Sequence, residues 1–131
     1  MDVTTPRQVG KSAMQVTPLG FGGGTIGSPQ VTNEESLATV KAAWDSGVRF
    51  FDTAPLYGIG RSERRLGLAL SGVHGAGAMP PRETYCINTK VGKTLMPEAI
   101  RDDTKKLFSP GGQPKTVRDP FSGFRIDFNY T

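Results

Sequence analysis

The chain has 131 residues, the length of one ordinary domain, and its 36% hydrophobic and 21% charged residues exclude a chain that is disordered throughout. The net charge of +4, from 16 basic and 12 acidic side chains, is scattered and forms no basic stripe interleaved with aromatics, so no nucleic-acid partner is expected. No apolar run approaches the roughly 18–20 residues that cross a bilayer, the N-terminus MDVTTPRQVG has no signal-peptide core, and the single cysteine, Cys86, excludes an internal disulfide or a thiolate metal cluster; the expectation is a cytoplasmic chain with no membrane partner and no metal.

Residues 7–17, RQVGKSAMQVT, read as two short strands around a Gly-Lys-Ser turn, with Val9, Met14 and Val16 as the apolar contributors. A brief apolar strand over residues 19–21 then runs into the glycine-rich stretch GFGGGTIG at residues 20–27. Thr32 with Glu35 three residues later is a capping box, followed by Leu37, Val40 and Trp44 on one helical face and by Gly47 as a C-terminal stop. The segment VRFFDT at residues 48–53 has strand composition. Ser62 is the expected N-cap of a second helix, with Glu63 in its first turn and Leu66 and Leu70 on its buried face. Arg61, Arg64 and Arg65 are expected to form a solvated face of that helix, with a place near the cleft mouth as the alternative for Arg61. Residues 72–81, GVHGAGAMPP, form a surface connection that holds the only histidine, His74.

A third strand is expected over residues 84–89, with Cys86 in its middle as a small buried hydrophobe. From residue 93 to residue 123, Pro97, Pro110, Gly111, Gly112, Pro114 and Pro120 break any long element, so this is expected to be a long loop with one or two helical turns at residues 98–107. Residues 124–131, FRIDFNYT, alternate like an extended segment. Hairpin followed by βαβαβ argues for parallel strands joined by helical crossovers.

Gly22, Gly24 and Gly27 stand in the G-x-G-x-x-G order of a dinucleotide-binding turn, a weak match in a chain with 17 glycines. That turn requires a helix opening on its last glycine. Ser28-Pro29 forbids one, and the capped helix begins only at Thr32, so no pyrophosphate is expected there.

Three other side chains converge. Asp52 stands at the C-terminal end of the second strand, Tyr57 in the loop after it and Lys90 at the end of the third, and in a parallel sheet or barrel those positions share the face where such folds place their chemistry. A tyrosine hydroxyl is a weak acid, with a reference pKa of about 10, and an ammonium within a few ångströms favours its anion. Lys90 would thus make Tyr57 a competent proton donor to a carbonyl oxygen, and Asp52 would supply the countercharge that holds Lys90. Singly each has a plain alternative: a loop-capping aspartate, a packing aromatic and a surface charge.

The run FFDTAPLYGIGRSERRLGLAL at residues 50–70 closely resembles the signature of the aldo-keto reductases. NTKVG at residues 88–92 is similar to their lysine strand, and RQVGKSAMQVTPLGFGG to their hairpin and first barrel strand. The wording APLYGIGRSE is most similar to the bacterial branch with aldose, fucose and pyridoxal dehydrogenases. The resemblance implies the N-terminal portion of a (β/α)8 TIM barrel, with the hairpin and about three βα units. It implies NADP or NAD as cofactor and hydride exchange with a sugar or other small aldehyde or alcohol. Tyr57 matches the proton donor, Lys90 its activating partner, and Asp52 the carboxylate that contacts Lys90 and the nicotinamide ribose; Gly22 and Gly23 match the turn lining the nicotinamide side.

The family's substrate-binding histidine lies on a fourth strand, and its phosphate-binding loops follow strands seven and eight. His74, in the connection at the opposite end of a barrel, does not replace that histidine. A full barrel needs about 250 residues, so a chain of this length is expected to leave an open parallel edge and to be inactive by itself. The alternatives are a non-catalytic truncated fragment and a half-barrel that self-assembles through that edge as an interaction module.

Overall fold

The computed structural model describes residues 2–73, 80–97, 115–118 and 124–128. The chain divides into two compact units, Met1–Thr89 and Lys90–Thr131.

The first unit opens with the expected hairpin, β1 (Arg7–Gln8) antiparallel to β2 (Gln15–Val16). Its turn places Gly10 at φ 55°, and the Val9 amide donates to the Met14 carbonyl at 2.9 Å. Then follow β3 (Phe21–Gly22), a 3-10 turn at Thr25–Gly27, α1 (Asn33–Asp45), β4 (Phe50–Asp52), α2 (Arg61–Gly72) and β5 (Cys86–Asn88).

Helix α1 begins and ends on local chemistry. The Thr32 hydroxyl accepts from the Glu35 amide at 3.1 Å, and the Glu35 carboxylate accepts from the Thr32 amide at 2.8 Å, so two otherwise orphaned amides are satisfied reciprocally. At the other end Gly47, at φ 91°, lets its amide reach the Trp44 carbonyl and lets the Val48 amide reach Ala43, a paired closure that needs a left-handed residue. Between these ends Val40 and Trp44 are buried.

Helix α2 starts differently from expectation. Its N-cap is Gly60, at φ 79°, and Ser62 lies inside the helix, fully buried. Ser62 is the second residue of the helix and so does not cap it; its hydroxyl instead donates to the Gly23 carbonyl at 2.7 Å. The buried positions Ser62, Arg65, Leu66, Ala69 and Leu70 recur at helical spacing, so one stripe carries both the apolar and the polar contacts of α2.

Strands β3, β4 and β5 form a parallel sheet in sequential order, with Gly22 level with Asp52 and Asp52 level with Asn88. Helices α1 and α2 pack on each other. A doubly wound sheet reverses its strand order and separates its crossover helices onto two faces, whereas sequential strands with neighbouring helices make the wall of a barrel. The described part therefore holds two complete βα units and the strand of a third. The core lies between sheet and helices: Phe51 is fully buried, stacks on Trp44 with centroids 6.3 Å apart and touches Phe21 at 5.9 Å, while Tyr85 meets Trp44 edge-on. Arg49 lies over the Trp44 ring, 3.8 Å from its centroid, and donates to the Trp44 and Val48 carbonyls, which seals the helix end.

One reading of this region changes. Cys86 is the first residue of β5 and only half-buried, with its thiol 3.7 Å from the Gln15 carbonyl. Tyr85, one residue earlier, takes the buried place because the pleat alternates sides. His74 and the rest of residues 74–79 lie outside the described residues.

The second unit is an antiparallel sheet of β6 (Lys93–Pro97), β7 (Lys115–Arg118) and β8 (Phe124–Phe128), in the order β6-β8-β7. The long loop expected over residues 93–123 therefore contains two strands. Pro97 is the last residue of an edge strand, where a missing amide breaks no interior ladder, and β8 is the alternating segment FRIDF. The helical turns expected at residues 98–107 lie outside the described residues.

Thr32→Ala should lower unfolding free energy by about 1 kcal/mol in denaturant titration. Its hydrogen bonds to Thr32 hold the Glu35 carboxyl below the ordinary carboxylate range. A lowered folded value means that this contribution is complete above the ordinary range and is lost as pH falls through the folded value, so Glu35→Gln should flatten the acid limb of a stability profile. Leu70→Ala, at a fully buried site, should cost roughly 2–5 kcal/mol on the same titration.

Candidate active site

Two of the candidate residues, Gly22 and Asp52, lie where the parallel strands end. Gly22, Asp52 and Asn88 are the last residues of β3, β4 and β5 and stand side by side in register. Asp52 is half-buried, and its carboxylate Oδ1 accepts from Asn88 Nδ2 at 2.5 Å. Sequence reasoning passed over Asn88. Its signal was register alone, because Asn88 faces Asp52 only in the parallel pairing that sets Asp52 level with it.

The glycines of GFGGGTIG have separate reasons. A Cβ on Gly20 would stand 2.8 Å from the Phe50 ring. One on Gly23 would stand 2.7 Å from both the Asp52 carbonyl oxygen and Ser62 Oγ, and the Gly23 amide donates to that same carbonyl at 2.7 Å. Gly23 is thus small for packing beneath the strand ends. Gly22 and Gly24 are open: a Cβ on either would meet nothing within 4 Å, and of the two only Gly22 stands at a strand end.

Tyr57 lies half-buried in the loop after β4, and the backbone on both sides of it is tied. Its amide donates to the Ala54 carbonyl at 3.1 Å, and its carbonyl accepts from the Ser62 amide at 3.0 Å. The next three residues, Gly58, Ile59 and Gly60, have φ of 66°, 55° and 79°, a left-handed run in which a β-branched residue is rare. This run reverses the chain into α2. Gly27 sits directly against it, so that a Cβ on Gly27 would be 2.6 Å from the Tyr57 carbonyl carbon and oxygen, and a Cβ on Gly58 would collide with the Gly27 carbonyl.

The expected solvated arginine face is corrected at Arg65, while Arg61, for which an alternative stood open, is half-buried. Only Arg64 is exposed. Arg61 donates to the Gly27 carbonyl at 2.9 Å, and Arg65, 6% exposed, donates to the carbonyls of Ile26, Ser28 and Val31 and to the Asn33 side chain. Beside them the Ser62 proton is directed at Gly23, which leaves the Thr53 hydroxyl to donate to Ser62 Oγ at 2.8 Å. Spacing could have exposed this, since residues 62 and 65 fall in the same stripe as Leu66 and Leu70.

Lys90 is exposed and lies two residues past the end of β5, as the first residue of the second unit. Thr89, just before it, donates from its hydroxyl to Glu63 in the first turn of α2 at 2.7 Å. No group of three or more metal-ligating side chains occurs among the described residues, and no helix there is long and apolar enough to cross a membrane.

Among proteins of known activity, the chain is 36% identical over 92 residues to a D-threo-aldose 1-dehydrogenase from Pseudomonas sp., covering 69% of this chain and 26% of that protein. It is 38% identical over 94 residues to a pyridoxal 4-dehydrogenase from Microbacterium luteolum, covering 70% and 25%. The chain thus spans about a quarter of the length of these relatives. Among solved structures, the holo form of an aldo-keto reductase from Bacillus halodurans superposes with a TM-score of 0.56 at 29% identity, over 69% of this chain and 26% of that one. A glycerol dehydrogenase from Gluconobacter oxydans matches in fold alone, with a TM-score of 0.59 at 19% identity over 98% of this chain and 31% of that one. The profile of the aldo/keto reductase family matches residues 18–119, a span that contains the parallel sheet, both helices, Asp52, Tyr57 and Lys90. The sheet is accordingly the first part of a (β/α)8 barrel, and the chain belongs to the aldo/keto reductase family.

Proposed function

We propose that this chain supplies the nicotinamide-side part of the catalytic centre of an NAD(P)-dependent oxidoreductase acting on a sugar or other small aldehyde or alcohol. The observation that carries this reading is the register of Gly22, Asp52 and Asn88 at the strand ends, directly before the doubly tied loop of Tyr57. Sugar substrates are favoured by likeness to the aldose dehydrogenase.

The residues present fit a nicotinamide dinucleotide, NADP or NAD. The open flank of Gly22 leaves room against the backbone beside the Asp52 carboxylate, and Gly23 keeps the turn tight below it. The bound cofactor would supply the hydride. The chain's own side chains then handle the proton: Tyr57 donates to the carbonyl oxygen in reduction and accepts from the alcohol in oxidation. Lys90 stabilises the phenolate that remains, and Asp52 balances the ammonium. Asn88 occupies one lone pair of Oδ1 on Asp52, which orients the other carboxylate oxygen.

Because the matched part of this chain covers only about a quarter of each relative, the activity belongs to a barrel to which these units contribute, and the 131-residue chain alone is expected to be inactive. A chimera with residues 1–92 in place of the matching part of the aldose dehydrogenase should oxidise aldoses with gain of reduced nicotinamide absorbance. Tyr57→Phe in that chimera should lower kcat by roughly 10²–10⁴-fold while dinucleotide affinity stays within twofold. Lys90→Met should lower kcat in the same range. Full turnover in Tyr57→Phe would refute the assignment.

A further inference from the structure

The first βα loop, between β3 and α1, folds around a guanidinium that no apolar helix face requires. Arg65 Nη1 donates to the Ile26 carbonyl at 2.7 Å and the Ser28 carbonyl at 3.1 Å, Nη2 to Val31 at 2.8 Å, and Nε to Asn33 Oδ1 at 2.9 Å. All these partners are neutral, so the group is held by the direction of its N–H bonds and not by an ion pair. One turn earlier on α2, Arg61 takes the Gly27 carbonyl at 2.9 Å. Four carbonyls of residues 26–31 are thus gathered onto two arginines of one helix. The same residues press on the Tyr57 loop, because Gly27 touches Tyr57 and Gly58, and the Ser62 amide, between the two arginines, holds the Tyr57 carbonyl.

We propose that Arg65, assisted by Arg61, is a positioning residue that clamps loop 26–31 to α2 and through Gly27 fixes the Tyr57 loop beside it. The inference rests on the proposed role of Tyr57 for its catalytic consequence, but not for the clamp itself. A lysine keeps the charge but offers three donors from a single nitrogen, so it cannot span the four acceptors that Nε, Nη1 and Nη2 of Arg65 take here. Charge conservation alone therefore should not rescue the position.

The test is amide hydrogen exchange on the full chain in Arg65→Lys and Arg65→Met, combined with titration of NADPH and NADH. Exchange at Gly27, Ser28 and Val31, and at Tyr57 and Gly60, is expected to rise about tenfold or more in both variants, since each buried bond lost is worth about that factor. Exchange at Phe51 and Ile87 in β4 and β5 should stay at the wild-type rate. The dinucleotide Kd should rise about tenfold at unchanged stoichiometry, whereas simple loss of folded protein would lower stoichiometry and leave Kd alone. Wild-type exchange in Arg65→Lys, or a uniform rise that includes β4 and β5, would overturn the clamp. If both arginine variants fail to fold, Asn33→Ala, which removes only the Nε acceptor, should give a smaller rise at the same amides, and no rise there refutes the proposal. A wild-type chain that binds neither dinucleotide contradicts the functional reading for the isolated chain, and the exchange pattern still decides the clamp.

Discussion

Gly27 and Gly58 meet with no side chain between them, and the geometry of the strand ends depends on that contact. An added Cβ on either would drive into the backbone of the other loop. Two consecutive βα loops can then share one layer, with the 3-10 turn at Thr25–Gly27 on one side and the left-handed run at Gly58, Ile59 and Gly60 on the other. The energetic difficulty is that such loops bring together carbonyls that no regular structure satisfies. Arg61, Arg65 and Ser62 answer it by donating to Ile26, Gly27, Ser28, Val31 and Gly23 from one helix.

The same arrangement ties stability to chemistry. Helix α2 buries Leu66, Ala69 and Leu70 against the core, and the polar residues one turn earlier in the same stripe hold the loops. A helix anchored by its apolar half is a rigid base for its polar half. The Tyr57 carbonyl bonded to the Ser62 amide inherits that rigidity, and Asp52, capped by Asn88, receives a comparable constraint from the register of three strands.

Some local features needed no tertiary information. The reciprocal bonds of Thr32 and Glu35 and the left-handed Gly47 are set within a few residues, so helix α1 was legible with both of its ends. The hairpin turn was legible for the same reason. Ser62 has the residue type of a cap and was misread as one, because the acceptor that claims its hydroxyl is 39 residues away in sequence. Arg65 was misread by composition, since arginine on a helix is usually solvated, although its place in the periodic stripe pointed inward. The strands at Lys93–Pro97 and Lys115–Arg118 were hidden by prolines and glycines around them, and their pairing through β8 is non-local.

By itself the sequence determined the order of strands and helices up to residue 89, the ends of α1, the family signature around Asp52 and Tyr57, and the exclusion of a dinucleotide turn at GFGGGTIG by Ser28-Pro29. These are properties of residues close together in the chain, where spacing and side-chain type act directly on the backbone. The tertiary structure alone decided why Gly20, Gly23 and Gly27 of that stretch are small, which amide orients Asp52, and that Arg65 turns inward. Those outcomes arise where separate loops meet, and only the folded backbone specifies which carbonyls are left without donors there.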